Sequence, residues 1–143
     1  MTKYLVTGST GFIGSRLLGL LNTIECDVRL LARSEVNNYE TVACNLGQDR
    51  IPKRALKSID TVFHLAGFAH DMQDPSKVED LYLAINVEAT VELARLAVKN
   101  GVKRFIFISS VKAGGKAASK KYINELSLKE SMVEANERRS KSY

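Results

Sequence analysis

The chain has 143 residues, of which 45% are hydrophobic, and this is enough for one buried core. The formal net charge of +5 is uneven, because residues 1–100 hold 11 Lys or Arg against 12 Asp or Glu, whereas residues 101–143 hold 10 against 4. The excess lies in the tail and lacks interleaved aromatic side chains, so we expect no nucleic-acid partner.

The first predicted strand leads into a glycine turn and a helix. Residues 3–7 are a short apolar run that is typical of a buried parallel strand, and apolar residues then recur at helical spacing up to Leu21. Between them, Gly8 allows a tight turn, Gly11 allows a close approach to phosphate oxygens, and Gly14 allows the helix to pack close to the strand. The free N–H groups of the helix N-terminus favour a dinucleotide pyrophosphate. A purely structural turn is the alternative, and the strand–turn–helix context favours the cofactor.

The rest of the chain alternates between strands and helices up to residue 108. Further strands are predicted at 27–32, 41–44, 61–65 and 104–108, and helices at 51–58 and 78–99. Pro52 lies near the start of the first of these helices, and Asn100-Gly101 marks the end of the second. This alternation predicts an α/β fold with a Rossmann-type doubly wound parallel sheet in the order 3-2-1-4-5.

Membrane segments and cysteine motifs are not apparent. No apolar run approaches the ~20 residues that a membrane-spanning helix needs, and the N-terminus leads directly into a strand without a signal peptide. Cys26 and Cys44 stand at no metal-binding or redox spacing and predict reduced thiols. We therefore expect a cytoplasmic protein with no membrane partner and no metal site.

The glycine turn also resembles a known motif. The segment from Thr7 to Gly14 reads Thr-Gly-Ser-Thr-Gly-Phe-Ile-Gly and resembles the extended short-chain dehydrogenase/reductases of the NAD-dependent epimerase/dehydratase family. The resemblance continues through His64-Leu65-Ala66-Gly67, Asn86-Val87 and the strand that ends in Ser109-Ser110. It covers about residues 1–125, so we predict an NAD(P)-binding domain over 1–125 and a basic tail over 126–143. The C-terminal part that supplies the family's substrate site is expected to be missing.

The resemblance implies a function and a set of cofactor-binding residues. The function is that of an NAD(P)-dependent epimerase, dehydratase or 4-ketoreductase acting on a nucleotide-diphosphate sugar, and a homo-oligomer remains open. The implied cofactor-binding residues are Gly8, Thr10, Gly11, Phe12, Ile13, Gly14, Arg33, Asn45, Leu46, Leu65, Ala66, Gly67, Asn86 and Ser109. Arg33 stands where NAD-preferring members carry an acid, which favours NADP over NAD, and an exposed Arg on a loop is the alternative.

Four further residues are weighed as substrate contacts or catalytic groups. His64 lies within a strand and is interpreted as a packed core residue rather than a base. Phe68 and His70 follow in a loop beside the expected nicotinamide, where a sugar contact and a plain surface loop both remain open. The resemblance implies that Ser110 hydrogen-bonds the sugar group under attack, together with a Tyr and a Lys spaced Tyr-x-x-x-Lys.

The sequence contains no Tyr-x-x-x-Lys, and Tyr122 is followed at the fourth position by Leu126. The codons permitted for residues 130–139, read from each third base, allow Tyr-Gly-Arg-Ser-Lys-Arg-Glu-Ala. We therefore favour the hypothesis that the tail from about residue 126 is out of frame and that the chain is an inactive N-terminal fragment. Chance codon degeneracy is the alternative explanation. The alternative function is a non-catalytic NAD(P)-binding sensor or regulatory module, with the tail as an interaction segment.

Overall fold

A computed structural model of the chain describes residues 1–68 and 75–108. The strands are β1 Thr2–Thr7, β2 Cys26–Ala32, β3 Glu40–Ala43, β4 Thr61–His64 and β5 Arg104–Phe107. The helical segments are α1 Phe12–Leu21, a 3-10 helix at Lys53–Leu56, α2 Pro75–Leu83, a π-helical segment at Ala84–Glu88 and α3 Ala89–Lys99. All of these elements belong to one compact unit, Met1–Phe107.

The five strands form one parallel sheet in the order β3-β2-β1-β4-β5, which confirms the predicted topology. At the carboxyl end of β1, Thr7 pairs with Leu31 of β2 on one side and with His64 of β4 on the other. These strand ends therefore meet at one edge of the sheet, where parallel α/β proteins bind ligands. The strand bounds differ from the predicted ones by no more than a residue or two.

Helices cover both faces of the sheet, so the central strands are apolar on both sides. Leu5 and Leu31 belong to a core cluster that also contains Leu93 of α3. Val6 and Leu30 point the other way and pack with Leu18 of α1. This alternation explains why the β1 sequence reads as a continuous apolar run rather than as an apolar–polar alternation.

The short helix predicted over 51–58 is present but shorter, as a 3-10 helix at Lys53–Leu56. Lys57 leaves the helix in an extended conformation, and Ser58 has a left-handed φ of 62°. Three carbonyls of this segment, those of Arg54, Ala55 and Lys57, accept hydrogen bonds from Nη1 of the buried Arg29 at 2.8–3.1 Å. The segment is therefore held by a side chain of β2 in addition to its own 3-10 hydrogen bonds, such as the one from the Ala55 N–H to the Pro52 carbonyl at 2.9 Å.

The helix predicted over 78–99 begins earlier, at Pro75, and is interrupted by the π-helical segment Ala84–Glu88. Its predicted end is confirmed: Asn100 is the C-cap and donates from Nδ2 to the Leu96 carbonyl at 2.8 Å. Gly101 follows with a φ of 71°. This is the left-handed residue that commonly terminates helices.

Both cysteines are free, with Cys26 half-buried and Cys44 buried. In the part of the chain that the structure describes, none of the helices is both long and apolar enough to cross a membrane.

The glycine turn sets the position of α1 against the sheet. A Cβ on Gly14 would lie 2.8 Å from the carbonyl carbon of Gly8 and from Cα of Ser9, with the Gly8 oxygen closer still. Gly14 is buried and these neighbours are backbone atoms, so they cannot rotate away. The predicted close packing is present, and it is made against the turn at the end of β1.

We expect Gly14→Ala to lower the free energy of unfolding by about 2 kcal/mol or more, since its Cβ would overlap rigid backbone. Gly19→Ala, in the same helix, is the matched control, because a Cβ there meets nothing within 4 Å. It should raise the free energy of unfolding by about 1 kcal/mol through helix propensity alone. Urea denaturation of the two variants measures both changes, and equal midpoints would contradict the proposed packing role of Gly14.

Candidate functional site

A cavity of about 410 Å³ opens at the carboxyl edge of the sheet. Most of the predicted site residues that the structure describes line it: Gly8, Thr10, Gly11, Arg33, Asn45, Leu46, Leu65, Ala66, Gly67 and Phe68. They come from the loops that follow four neighbouring strands. The topology thus brings together residues that are far apart in the sequence.

The floor of the cavity is backbone. Gly8 has a φ of 68°, and a Cβ on it would lie 2.5 Å from the Ala66 nitrogen, so only glycine fits there. Gly11 is the N-cap of α1, and no side chain bonds the free N–H groups of this helix start. The first turn of α1 also carries no acidic residue. The positive end of the helix dipole is therefore uncompensated at the cavity.

Phe12, Ile13 and Gly14 do not line the cavity, although they form the first turn of α1 beside it. The Phe12 side chain is 74% exposed, and the Arg16 guanidinium lies 3.6 Å from the centre of its ring. Arg16 also donates from Nη1 to the Phe12 carbonyl at 3.1 Å. Phe12 and Ile13 could therefore contact a ligand only through their backbone N–H groups at the start of α1.

Arg33 is the one charged residue among the described residues that line the cavity. Its neighbour across the wall, Asn45, donates from Nδ2 to Gln48 Oε1 at 2.8 Å. The backbone N–H of Asn45 is bonded to the Asp49 carboxylate at 2.7 Å. The loop after β3 is thereby held in place, and within the described residues Asn45 Oδ1 has no donor.

Asn86 acts behind the cavity wall rather than in it. Its Oδ1 accepts from the Phe68 N–H at 2.7 Å, and its Nδ2 donates to the Phe68 carbonyl at 3.0 Å. The π-helical segment places Asn86 there and directs Ile85 into the cavity lining. Gly47, with a φ of 85°, makes room, because a Cβ on it would lie 2.7 Å from Ile85 Cγ1. π-helical turns occur frequently at functional sites.

His64 is fully buried below the cavity, which confirms the interpretation of a packed core residue. The Thr90 hydroxyl donates to the Asn86 carbonyl at 2.9 Å, so Thr90 Oγ1 must accept from His64 Nε2, 2.8 Å away. His64 Nδ1 then accepts from the Thr7 hydroxyl at 2.7 Å. Thr7 Oγ1 in turn accepts the N–H groups of Leu65 and Ala66. Every proton in this network is assigned, and the histidine is neutral.

Burial lowers the pKa of His64 to about 4. Protonation would place a hydrogen on Nδ1 facing the Thr7 hydroxyl, which already donates to that atom. The neighbouring Phe105 and Phe107 rings offer no compensating charge. The folded protein therefore disfavours the charged form of His64.

Sequence reasoning missed five residues of the lining: Ser9, Leu31, Ala32, Cys44 and Ile85. Three of them, Leu31, Ala32 and Cys44, end or follow strands, and the strand-end rule could have found them. Burial raises the pKa of the Cys44 thiol, with Asp49 and Glu92 adding to the effect, so Cys44 stands in the wall as a neutral group. The predicted residues His70, Ser109 and Ser110, and the tail over 126–143, lie outside the described residues.

The neutral His64 makes stability depend on pH. The unfolded chain binds a proton at this residue below pH 6.5, whereas the folded chain does so only near pH 4, so stability is lost as the pH falls between these values. We expect this single residue to account for a loss on the order of 3 kcal/mol at pH 4.

The measurement compares urea denaturation of the wild type and His64→Gln at pH 7, 5.5 and 4. The pKa values of Glu40 and Asp60 are also lowered, by hydrogen bonds involving Lys3 in both cases. Both proteins contain these carboxylates, so their contributions to the pH dependence of stability cancel in the comparison. The difference in stability between wild type and variant should shrink at acidic pH. A difference that stays constant would exclude the neutral buried histidine.

Comparison with known proteins identifies the family of the chain. The model of the NAD dependent epimerase/dehydratase family matches residues 4–138, which extends beyond residue 125. The UDP-glucose 4-epimerase of Vibrio cholerae is 39% identical over 117 residues, which cover 78% of this chain and 35% of that protein. The chain thus spans about a third of the length of this relative.

Two solved structures share the fold. A short-chain dehydrogenase/reductase superfamily protein from Agrobacterium tumefaciens, with bound NAD, has a TM-score of 0.70 and 31% identity over 79% of this chain and 34% of its own. The complex of MoeE5 with UDP-glucose and NAD has a TM-score of 0.70 and 28% identity. The match covers 94% of this chain and 47% of MoeE5. The fold, the glycine turn and the family match agree, and the chain belongs to the NAD-dependent epimerase/dehydratase family.

Proposed function

We propose that the cavity binds a nicotinamide dinucleotide and forms the cofactor half of a nucleotide-sugar epimerase, dehydratase or 4-ketoreductase. One observation carries the proposal: the uncapped N-terminus of α1, the glycine turn and the lone positive charge of Arg33 share one cavity. Together they favour an anionic ligand. NAD is bound in the similar protein from Agrobacterium tumefaciens and in the MoeE5 complex.

The pyrophosphate fits the glycine turn. A Cβ on Gly11 would meet only the Gly8 oxygen, at 3.4 Å, so its absence leaves the cavity side of the turn open to a phosphate group. The N–H groups of Phe12 and Ile13 would bind the phosphate oxygens, and the helix dipole would stabilise their charge.

The two ends of the cofactor fit the loops on either side. Asn45 Oδ1 would accept from the adenine amine beside Leu46, since the other polar groups of Asn45 are already bonded within the protein. On the opposite side, Ala66 and Gly67 leave space for the ribose and phosphates, and Asn86 fixes the loop at Phe68. When bound, the nicotinamide supplies the hydride donor or acceptor.

Arg33 supports NADP(H) over NAD(H). It follows β2, where an acidic residue would bond the ribose 2′-hydroxyl, and its guanidinium suits a 2′-phosphate. The wild-type chain should therefore bind NADPH more tightly than NADH.

Isothermal titration calorimetry of the Arg33→Asp variant tests this specificity. We expect its affinity for NADPH to fall by about tenfold or more, as for the loss of one hydrogen bond to a charged group, while NADH binding is retained. Arg95→Asp, an equal change of charge on the exposed face of α3, is the control and should alter neither affinity. If the ratio of the NADPH affinity to the NADH affinity is unchanged in the Arg33 variant, this residue has no role in cofactor specificity.

The substrate class follows from the relatives and from Ser110. A UDP-glucose 4-epimerase and a UDP-glucose complex are among the similar proteins, which supports a nucleotide-diphosphate sugar. Ser110 would hydrogen-bond the sugar hydroxyl or keto group that reacts. A cytoplasmic location accords with this substrate class and with the two free cysteines.

The 143-residue sequence lacks Tyr-x-x-x-Lys, and a serine alone cannot move the proton at neutral pH. We therefore propose that this chain binds the cofactor without turning over. Its dinucleotide cavity also suits the alternative function, a binding sensor or regulatory module, in which the tail over 126–143 contacts a partner.

We expect no NADPH oxidation above background when the chain is incubated with UDP-linked sugars, measured by absorbance at saturating substrate. The hypothesis of an out-of-frame tail adds a second arm, in which the gene is sequenced beyond the codon for Ser110. If the third-base frame is open and encodes Tyr-Gly-Arg-Ser-Lys, the chain joined to that frame should be active. If that frame is closed, the regulatory module is favoured. Turnover by the 143-residue chain would contradict both the inactive fragment and the non-catalytic module.

A further inference from the structure

Thr90 does not line the cavity, but it holds one end of the hydrogen-bond network beneath it. It is the second residue of α3, and its hydroxyl donates to the carbonyl of Asn86, one turn earlier in the π-helical segment, at 2.9 Å. A hydroxyl has a single proton, so Thr90 Oγ1 accepts from His64 Nε2, 2.8 Å away. Thr90 therefore requires the tautomer of His64 that carries its hydrogen on Nε2.

The opposite end of the network requires the same tautomer. Thr7 Oγ1 accepts the N–H groups of Leu65 and Ala66 at 3.2 and 3.1 Å, which uses both of its lone pairs. Its own proton therefore goes to His64 Nδ1, 2.7 Å away, and that nitrogen carries no hydrogen. The two threonines agree, so the network has a single direction from the cavity wall to the π-helical segment.

The other tautomer of His64 would disturb the cavity wall. A hydrogen on Nδ1 would face Thr7 Oγ1, whose lone pairs are already used, and the Thr7 proton would lose its acceptor. Both residues are fully buried, so bulk water does not offset the lost hydrogen bond. The imidazole would then compete with the N–H groups of Leu65 and Ala66 for one oxygen. Ala66 packs tightly on the glycine turn, since a Cβ on Gly8 would lie 2.5 Å from its nitrogen, so its displacement would change the shape of the cavity.

We propose that Thr90 is a positioning residue for the dinucleotide, because by fixing the tautomer of His64 it holds the cavity wall at Leu65 and Ala66. This inference rests on the proposed cofactor function. Thr90→Val keeps the shape of the side chain but removes the acceptor for His64 Nε2. Neither tautomer is then fully bonded, so we expect a mixture of the two and a less firmly held wall.

The first measurement is the tautomer of His64, read from the chemical shifts of its ring nitrogens by NMR spectroscopy of the isotope-labelled 143-residue chain at neutral pH. His70→Gln removes the other histidine and so assigns the signals. The wild type and Thr90→Ser, which keeps the hydroxyl, should carry the hydrogen on Nε2 alone, and Thr90→Val should show both tautomers. Thr61→Val is the matched control, because Thr61 is buried in the same strand as His64 and its hydroxyl bonds to none of the described residues.

Isothermal titration calorimetry of the same variants measures the effect on binding. We expect Thr90→Val to bind NADPH about fivefold more weakly than the wild type, the effect of one neutral hydrogen bond. Thr90→Ser and Thr61→Val should bind NADPH like the wild type. Adenosine 2′-phosphate, which would contact the cavity at Asn45 and Arg33 only, should bind equally to all of these proteins.

The outcomes separate this inference from the cofactor proposal. A wild type with the hydrogen on Nδ1 overturns the inference before any variant is made. So does a Thr90→Val chain that binds NADPH more weakly but keeps a single tautomer, since Thr90 would then act through packing alone. Mixed tautomers with an unchanged NADPH affinity overturn the positioning role and leave the cofactor function intact. A wild-type chain that binds neither NADPH nor NADH overturns the proposed function, and this inference with it.

Discussion

The contact between the backbones of Gly8 and Gly14 is the constraint on which the site depends. Because Gly14 has no Cβ, the first turn of α1 can start directly against the end of β1. The same absence at Gly8 brings Ala66, after β4, against the turn. Three backbone segments therefore meet at one point, and the free N–H groups of α1 face the edge of the sheet rather than another protein group.

The hydrogen-bond network under the cavity fixes the opposite side. It runs from Thr7 in β1 through His64 in β4 to Thr90 in α3, and it ends on the carbonyl of Asn86 in the π-helical segment. The Asn86 side chain then holds both backbone groups of Phe68. Since each donor faces one acceptor, a change in the protonation of His64 would disturb both the floor and the wall. The cavity is thus shaped by backbone packing on one side and by a neutral polar network on the other.

The sequence is most informative where a structure depends on local periodicity and on strand order. The apolar runs around Leu5 and Leu31 predict the parallel sheet, and the strand-end rule then brings distant loops such as those at Gly8 and Asn45 to one cavity. Local patterns fail where a distant side chain decides the conformation. Arg29 of β2 holds the carbonyls of the 3-10 segment, and no feature within 51–58 indicates this.

The π-helical segment is the second such failure. Its sequence, Ala-Ile-Asn-Val-Glu, contains neither glycine nor proline, so the usual signals of a helix interruption are missing. The interruption becomes visible only in the contacts of Asn86 with Phe68 and of Ile85 with Gly47. Resemblance alone predicts Asn86 near the cofactor, and no residue spacing indicates that its side chain bonds the backbone of Phe68.

Binding of the proposed ligand in the cavity would also change the stability of the protein. The start of α1 has no side-chain cap, and the Arg33 side chain is exposed, so water hydrates both in the free chain. A ligand at one hundred times its dissociation constant would add about 2.7 kcal/mol to the free energy of unfolding. That is a large fraction of the roughly 5–15 kcal/mol that stabilises a typical domain. If the cavity binds the proposed dinucleotide, the free energy of unfolding would therefore rise with its occupancy.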